Sequence, residues 1–199
     1  MSVAVVVLAA GRSSRLGRPK QLLDLGGEPL LRHTLRNALA AGADDVVLVL
    51  GNAAGEIAAA VGELGQRTVV NVRFAEGQST SLHSGIAALG DGVEAAVLML
   101  GDQPTVGPEI VAALIARWRE SGAAVVQPVY GGVPANPVLI ARALFPELLA
   151  VGGDEGARSV IRAHREEIAL VPVSDGPPPQ DVDTEEDYAA LVAAWGLRG

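Results

Sequence analysis

Val3-Ala4-Val5-Val6-Val7-Leu8-Ala9-Ala10-Gly11-Arg12-Ser13-Ser14-Arg15-Leu16-Gly17-Arg18-Pro19-Lys20 opens the chain, and the fold is read from it outward. The apolar run is continuous rather than alternating, as in a central strand covered on both faces. It ends in a polar, Gly-containing loop, and open α/β sheets bind their ligands beyond the C-terminal ends of strands. Ala9 and Ala10 are small enough for a flat base to lie against the backbone. Gly11 and Gly17 are expected to adopt positive φ angles, which turn several backbone N–H groups toward one anion. Arg12, Arg15, Arg18 and Lys20 place four cations in nine positions, and no acid precedes Asp24. A triphosphate is a ligand that needs this combination. Charge alone also fits an ordinary surface loop of an Arg-rich chain. The segment is neither a Walker A loop nor Gly-x-Gly-x-x-Gly.

Composition narrows the classes further. The 199 residues, 49% hydrophobic and 19% charged, fit one globular domain spanning 1–199. A net charge of −8 argues against broad binding to nucleic acid or membrane surfaces. An anionic ligand therefore needs a local basic site. Of the 15 basic residues, Lys20 is the single lysine. The absence of cysteine excludes a disulfide scaffold, a thiol nucleophile and a Cys-ligated metal. The opening apolar run is far shorter than the ~20 residues of a membrane span, and no basic leader precedes it. The expected protein is soluble and cytoplasmic.

β-branched runs at 3–8, 45–50, 68–72, 95–100, 123–128, 138–141 and 168–171 alternate with Ala/Leu-rich helical stretches. Helices are expected at 29–41, ending at Gly42 as a C′ residue, and at 108–119, opening on Pro108. A third begins at Thr184, with Asp187 completing a short-acid variant of the capping box. The tracts 11–20 and 174–180 read as irregular. This alternation predicts an α/β fold, a three-layer α/β/α sandwich around a Rossmann-like, mostly parallel sheet.

Two acidic segments could hold a hard cation beside phosphates. Asp102, in Gly101-Asp102-Gln103-Pro104, follows an apolar strand and should emerge at the same sheet edge as the first loop; a simple turn aspartate is the competing reading. In Asp181-Val182-Asp183-Thr184-Glu185-Glu186-Asp187-Tyr188, the acids after Thr184 suit a helix N-terminus. Asp181 and Asp183 precede the cap and alternate onto one side; Asp183 is preferred as ligand, with Asp181 as neighbour or substitute. Gly77-Gln78-Ser79-Thr80-Ser81-Leu82 joins a strand to a helix, with Ser79 or Ser81 as expected N-cap.

The segment from Leu8 to Lys20 resembles the opening signature of Rossmann-like nucleotidyltransferases, Leu-Ala-[Ala/Gly]-Gly-x-Ser-x-Arg-[Met/Leu]-Gly-x-x-Lys. It is most similar to the MobA-like branch and, within it, to molybdenum cofactor cytidylyltransferases. The resemblance extends through Gly-Asp-Gln-Pro, the Asp181–Tyr188 segment, Gly131-Gly132-Val133-Pro134-Ala135-Asn136-Pro137-Val138 and Gly153-Asp154-Glu155-Gly156-Ala157-Arg158. Ala135 and Asn136 depart from the usual Gly and His, and Val182 and Glu185 from Ile and Pro.

The resemblance implies a fold of the nucleotide-diphospho-sugar transferase type. It implies that Lys20, Arg15 and Asp102 are catalytic, and that Asp102 and Asp183 hold Mg²⁺ or Mn²⁺. Leu8, Ala9, Ala10, Gly11, Arg12, Ser13, Gly77, Ser79, Ser81 and Leu82 would bind the nucleotide. Gln103, Asn136, Pro137 and Arg158 would face the acceptor, although Arg158 also suits a structural turn. Ala10 in Leu-Ala-Ala-Gly leans toward CTP over GTP.

The implied reaction transfers CMP from CTP to the terminal phosphate of molybdopterin or the molybdenum cofactor, releasing pyrophosphate. A molybdenum hydroxylase apo-enzyme is a further implied partner. The rivals are the same chemistry with GTP or another phosphorylated acceptor, and a cofactor-delivery chaperone. His33, His83 and His164 form no triad or metal spacing, consistent with a phosphate nucleophile that is already ionised.

Overall fold

The computed structural model describes residues 1–174 and 176–196. In chain order the elements are β1 (Ser2–Ala9), the two-stranded hairpin β2 (Asp24–Leu25) and β3 (Glu28–Pro29), α1 (Leu30–Ala40), β4 (Asp45–Leu50), α2 (Ala54–Val61) and β5 (Arg67–Val70). There follow α3 (Gln78–Ala87), β6 (Val93–Leu100), α4 (Pro108–Ser121), β7 (Val125–Tyr130), β8 (Val133–Pro134) and β9 (Val138–Ala141). The described chain closes with α5 (Phe145–Ala150), α6 (Arg158–Ala163), β10 (Ile168–Val173) and α7 (Glu185–Trp195).

The large sheet runs β10-β7-β9-β6-β1-β4-β5, with β8 paired to β7. β1 is parallel to β4 and β6, β4 to β5, and β7 to β10; β9 runs antiparallel between β6 and β7. The continuous apolar run is thus central, and alternation splits it between two faces. Val3, Val5 and Val7 pack with Leu31, Leu35, Ile57, Val111 and Leu114 from α1, α2 and α4. Val6 faces Leu82, Ile86, Phe145 and Val160 on the other side, from α3, α5 and α6. The three-layer, mostly parallel architecture is as expected. α3 lies so close to the sheet that a Cβ at Gly85 would stand 2.4 Å from Val6 Cγ1.

Some boundaries move. The strand expected at 123–128 is Val125–Tyr130, because Ala123 and Ala124 close the turn after α4. The strand expected at 68–72 is Arg67–Val70; at this sheet edge Val72 is 83% exposed and unpaired in the ladder. Gly42 has φ +77° just beyond α1, the expected C′ geometry. The tract 174–180 is irregular at its described positions, and Asp175 lies outside the described residues. No described helix is long and apolar enough to cross a membrane.

α7 joins the body differently from the other helices. None of its residues is fully buried. Tyr188, Leu191 and Trp195 pack instead on a small cluster of Leu16, Leu23, Leu25, Leu30 and Val182. Leu16 belongs to the basic loop and Val182 to the acidic segment, so one apolar contact ties the two ends of the chain together.

Candidate active site

The loop after β1 is shaped by Ser13 and Gly17, with φ +52° and +64°. Gly11 does not adopt a positive φ, contrary to expectation. Local hydrogen bonds hold Ser13 in the left-handed region: its Oγ accepts from Lys20 N at 3.0 Å and its carbonyl from Leu16 N at 3.1 Å. Beneath the loop, Gln21 is 2% exposed and donates from Nε2 to the Ala9 carbonyl at 2.8 Å. This buried amide ties the loop to the end of β1. Nothing in the sequence marked it, because a glutamine beside two leucines reads as a helix surface.

Lys20 lies in the 3-10 turn Lys20–Leu22, and its ammonium donates to both Asp102 and Asp183, the latter at 2.9 Å. Asp102 emerges just beyond β6, the neighbour of β1, so the sheet sets these two groups side by side. Asp183 arrives from the N-terminal side of α7, where Thr184 and Asp187 form a complete capping box. Asp187 also accepts from Asp183 N at 3.1 Å, which fixes the backbone there. Arg15 donates to the other oxygen of Asp183 at 3.0 Å. With Val182 buried, Asp181 and Asp183 both turn to the site, and Gln103 Nε2 donates to Asp181 Oδ1 at 2.8 Å.

The electrostatics follow from burial. Burial pulls the Lys20 ammonium down, but the Asp102 and Asp183 carboxylates outweigh it and hold its pKa above the ordinary value. Asp102 is pushed up by burial against the pull of Lys20, with the Asp181 charge adding to the rise. Asp183 is held low, first by its hydrogen bond from Lys20 and further by Arg15. Among the described residues, Asp102, Asp181 and Asp183 face only Lys20 and Arg15, so the cluster is short of positive charge. A hard divalent cation fits this set of carboxylate oxygens, with Asp102 and Asp183 as the residues to hold it. No group of three or more His, Cys, Asp or Glu among the described residues could enclose a metal. Substrate oxygens and water would complete the coordination, as is usual for Mg²⁺.

Other expected contacts are placed differently. Arg12 leans toward the 74–76 turn, donating to the Ala75 carbonyl at 3.4 Å and lying over the Phe74 ring. Arg18 pairs with Glu185 at 3.0 Å and covers Tyr188. Neither Ser79 nor Ser81 caps α3; the N-cap is Gly77, at φ +121°. The first turn is satisfied from the distant 153–154 turn, where Asp154 Oδ1 accepts from Gln78 N at 3.1 Å and the Gly153 carbonyl from Ser79 N at 3.0 Å. Ser81 Oγ is held by Asn71 Nδ2 at 3.0 Å. The Leu82 side chain is fully buried beneath the sheet, a core residue rather than a ligand contact. Leu8, Ala9 and Ala10 do stand at the β1 end of the site, with Ala9 and Ala10 only 4% and 5% exposed.

On the acceptor side, Gln103 touches the carboxylate cluster through Asp181. Asn136 is half-buried and Pro137 buried, flanking a cis peptide before β9. Arg158 is exposed at the start of α6, its guanidinium without a partner among the described residues. No described contact joins these three to Asp102. A cavity of about 580 Å³ opens instead between α4 and α7, with Asp181 on its wall. Its Tyr130 and Val173 lie at the C-terminal ends of β7 and β10, a placement without a local sequence signal.

Comparison with known proteins agrees with this arrangement. Residues 5–168 match the MobA-like NTP transferase domain. The chain is 31% identical to nicotine blue oxidoreductase of Paenarthrobacter nicotinovorans, over 96% of each protein. It superposes on the crystal structure of Rv0371c from Mycobacterium tuberculosis H37Rv with a TM-score of 0.88, at 36% identity over 97% of this chain and 98% of that one. A manganese complex of Rv0371c superposes with a TM-score of 0.86, at 34% identity over 98% of this chain and all of the other. With residues 5–168 matched and nearly all of its length shared with these proteins, the chain belongs to the MobA-like NTP transferase family and is a nucleotidyltransferase.

Proposed function

We propose that the protein transfers CMP from CTP to the terminal phosphate of molybdopterin or its molybdenum-loaded form. The observation that carries this reading is the Lys20 ammonium shared by Asp102 and Asp183, beside a loop bearing Arg12 and Arg15. That constellation suits charge stabilisation rather than acid–base work. The CTP preference rests on Ala10 in Leu-Ala-Ala-Gly, and the acceptor on the sequence resemblance.

In this mechanism the loop 10–17 cradles the triphosphate, while Ala9 and Ala10 leave room for the base. An acceptor phosphate oxygen attacks the α-phosphorus in line, the bond to the bridging oxygen breaks, and pyrophosphate leaves. The nucleophile is already ionised at neutral pH, so no side chain must remove a proton. Lys20 and Arg15 stabilise the negative charge that gathers on the transferring and leaving oxygens. Asp102 and Asp183 would hold a divalent cation, which when bound would supply Lewis-acid screening of the phosphate oxygens. The manganese complex of the Mycobacterium relative supports a divalent ion in the family; Mg²⁺ is an equally suitable hard cation. A cytoplasmic location and hand-over to a molybdenum hydroxylase apo-enzyme complete the proposal.

Pyrophosphate release, measured with each NTP with and without molybdenum-loaded molybdopterin, tests it. Release with CTP that requires the pterin is expected. Release with GTP alone, or with a sugar phosphate as acceptor, overturns the cytidylyl assignment. Tight binding of the finished dinucleotide without release replaces it with the delivery role. The oxidoreductase name of the Paenarthrobacter relative describes another chemistry, and pyrophosphate release separates the two.

A further inference from the structure

Gln21 is a buried amide beneath the basic loop. It sits in the 3-10 turn directly after Lys20 and is 2% exposed. Its Nε2 donates to the Ala9 carbonyl at 2.8 Å and reaches the Gly11 carbonyl at 3.5 Å. The β1–β4 ladder ends at the Ala9–Leu50 pair, so Gln21 supplies a donor where no further strand does. Its Oε1, by contrast, is buried without a partner among the described residues. An orphaned buried acceptor is unfavourable, and a methionine or leucine would fill the same space without one. As packing, then, Gln21 is a poor choice. What it brings is the donor.

The effect of that donor follows from peptide geometry. In a planar trans peptide the C=O and the next residue's N–H point in opposite directions. A Gly11 carbonyl held inward therefore turns the Arg12 N–H outward, away from Gln21. Gly11, Arg12, Ser14 and Arg15 are exposed. The backbone N–H groups of Arg12, Ser13, Ser14 and Arg15 have no acceptor among the described residues, whereas Leu16 N and Lys20 N both bond back to Ser13. A row of unspent donors fixed in one conformation is an anion-binding nest. Ser13 fixes this one from the far side, and Gln21 fixes it where the chain leaves β1.

We propose that Gln21 is a positioning residue for nucleotide binding: it holds the Ala9 and Gly11 carbonyls inward, so that the loop presents its free N–H groups outward as a preformed cradle. The inference rests on the reading of loop 10–17 as the site of the triphosphate. Gln21 itself touches no substrate. Its contribution is pre-organisation, since a loop already ordered loses less freedom when the ligand arrives.

The test uses Gln21→Met and Gln21→Glu in the full chain. Binding of each NTP with Mn²⁺ is measured by calorimetry, beside the urea unfolding midpoint and the affinity for Mn²⁺ alone. Gln21→Met loses the donor but also the orphaned acceptor, so its unfolding midpoint should stay near that of wild type. Its affinity for the preferred NTP should fall roughly tenfold, the loss of about one hydrogen bond. Mn²⁺ alone should bind as before, because Asp102 and Asp183 are untouched. Gln21→Glu keeps the shape of the amide but is acceptor-only when ionised, and burial raises its pKa. Its NTP affinity relative to wild type should therefore be low near pH 8 and recover toward about pH 5.5, as the protonated carboxyl regains a donor; a space-filling role gives no such recovery. NTP affinities of both variants within about twofold of wild type overturn the role of Gln21 while the cradle stands. A loss matched by a fallen unfolding midpoint, with no recovery at low pH, also overturns it. If wild type binds no NTP, the cradle reading itself fails and the role of Gln21 falls with it.

Discussion

Replacing Lys20 with Met keeps much of the side chain's volume and removes its charge, which isolates the role of the ammonium. In the folded protein the Lys20 and Asp102 side chains are 14% and 12% exposed. Without the ammonium, Asp102 is a buried carboxylate with no counterion, and breaking one side of a buried pair typically costs ~3–5 kcal/mol. Asp183 loses less, because it is 37% exposed and keeps Arg15 at 3.0 Å. The lower end of that range, about 3 kcal/mol, is the expected destabilisation. With a urea m-value near 2 kcal/mol/M, the unfolding midpoint should fall by roughly 1.5 M.

Three controls sharpen this result. The double variant Lys20→Met/Asp102→Asn removes the stranded charge and should regain most of the loss. Lowering the pH should shrink the deficit of the single variant, since burial already holds the Asp102 pKa above its ordinary value and Lys20 no longer opposes it. A raised folded pKa gives stability that is complete below the unfolded value and disappears as pH rises through the folded one. Added Mn²⁺ should stabilise the single variant, because it needs the same two carboxylates. Turnover should drop by ~10²-fold or more, as for a lost preorganised charge stabiliser. A Lys20→Met protein within about 0.5 kcal/mol of wild type, with no pH dependence of the difference, would refute this account of the pair.

Gly77→Ala should destabilise by about 1–3 kcal/mol, because its Cβ would stand 2.6 Å from the Gly153 carbonyl oxygen at φ +121°; urea unfolding measures it. Asp154→Ala should cost about 1 kcal/mol by uncapping α3, and hydrogen exchange at the first turn should rise while the Lys20 site keeps its metal affinity. His164 offers Nε2 to Glu147 at 2.9 Å and Nδ1 to Glu167 at 3.0 Å, an arrangement that requires both nitrogens to carry protons. Those carboxylates, Glu167 first, raise its pKa above the ordinary 6.5. Its contribution is therefore complete below pH 6.5 and fades as pH rises through the folded value. His164→Asn should flatten this part of the stability–pH profile, and an unchanged slope would contradict the assignment.

Much of the frame was legible along the chain. The continuous apolar run of β1 read as a central strand because both faces of a central parallel strand are covered. Thr184 and Asp187 announced the start of α7, since a capping box needs only residues three apart. Asp102 could be placed at the sheet edge because it follows an apolar strand directly. Legibility ended where a partner is remote. The α3 N-terminus was assigned to Ser79 or Ser81, but its N-cap is Gly77 and the Gln78 N–H is satisfied by Asp154, 76 positions away. Leu82 followed a motif into the ligand list, although helix phase turns it into the core. Gly11 was the natural candidate for a left-handed turn residue, but local hydrogen bonds gave that conformation to Ser13.

By itself the sequence determined the layers, the strand–helix alternation and the four cations between Arg12 and Lys20, because periodicity, capping and local charge are properties of neighbours. Only the tertiary structure decided that Lys20 meets Asp183, 163 positions away, and that β9 runs antiparallel between β6 and β7. It alone opened the cavity beside Asp181, lined by no Lys, Arg or His among the described residues. The reason is burial: Leu16 and Val182 must share one small apolar cluster, and closing it draws the basic loop and the acidic segment to the same edge of the sheet.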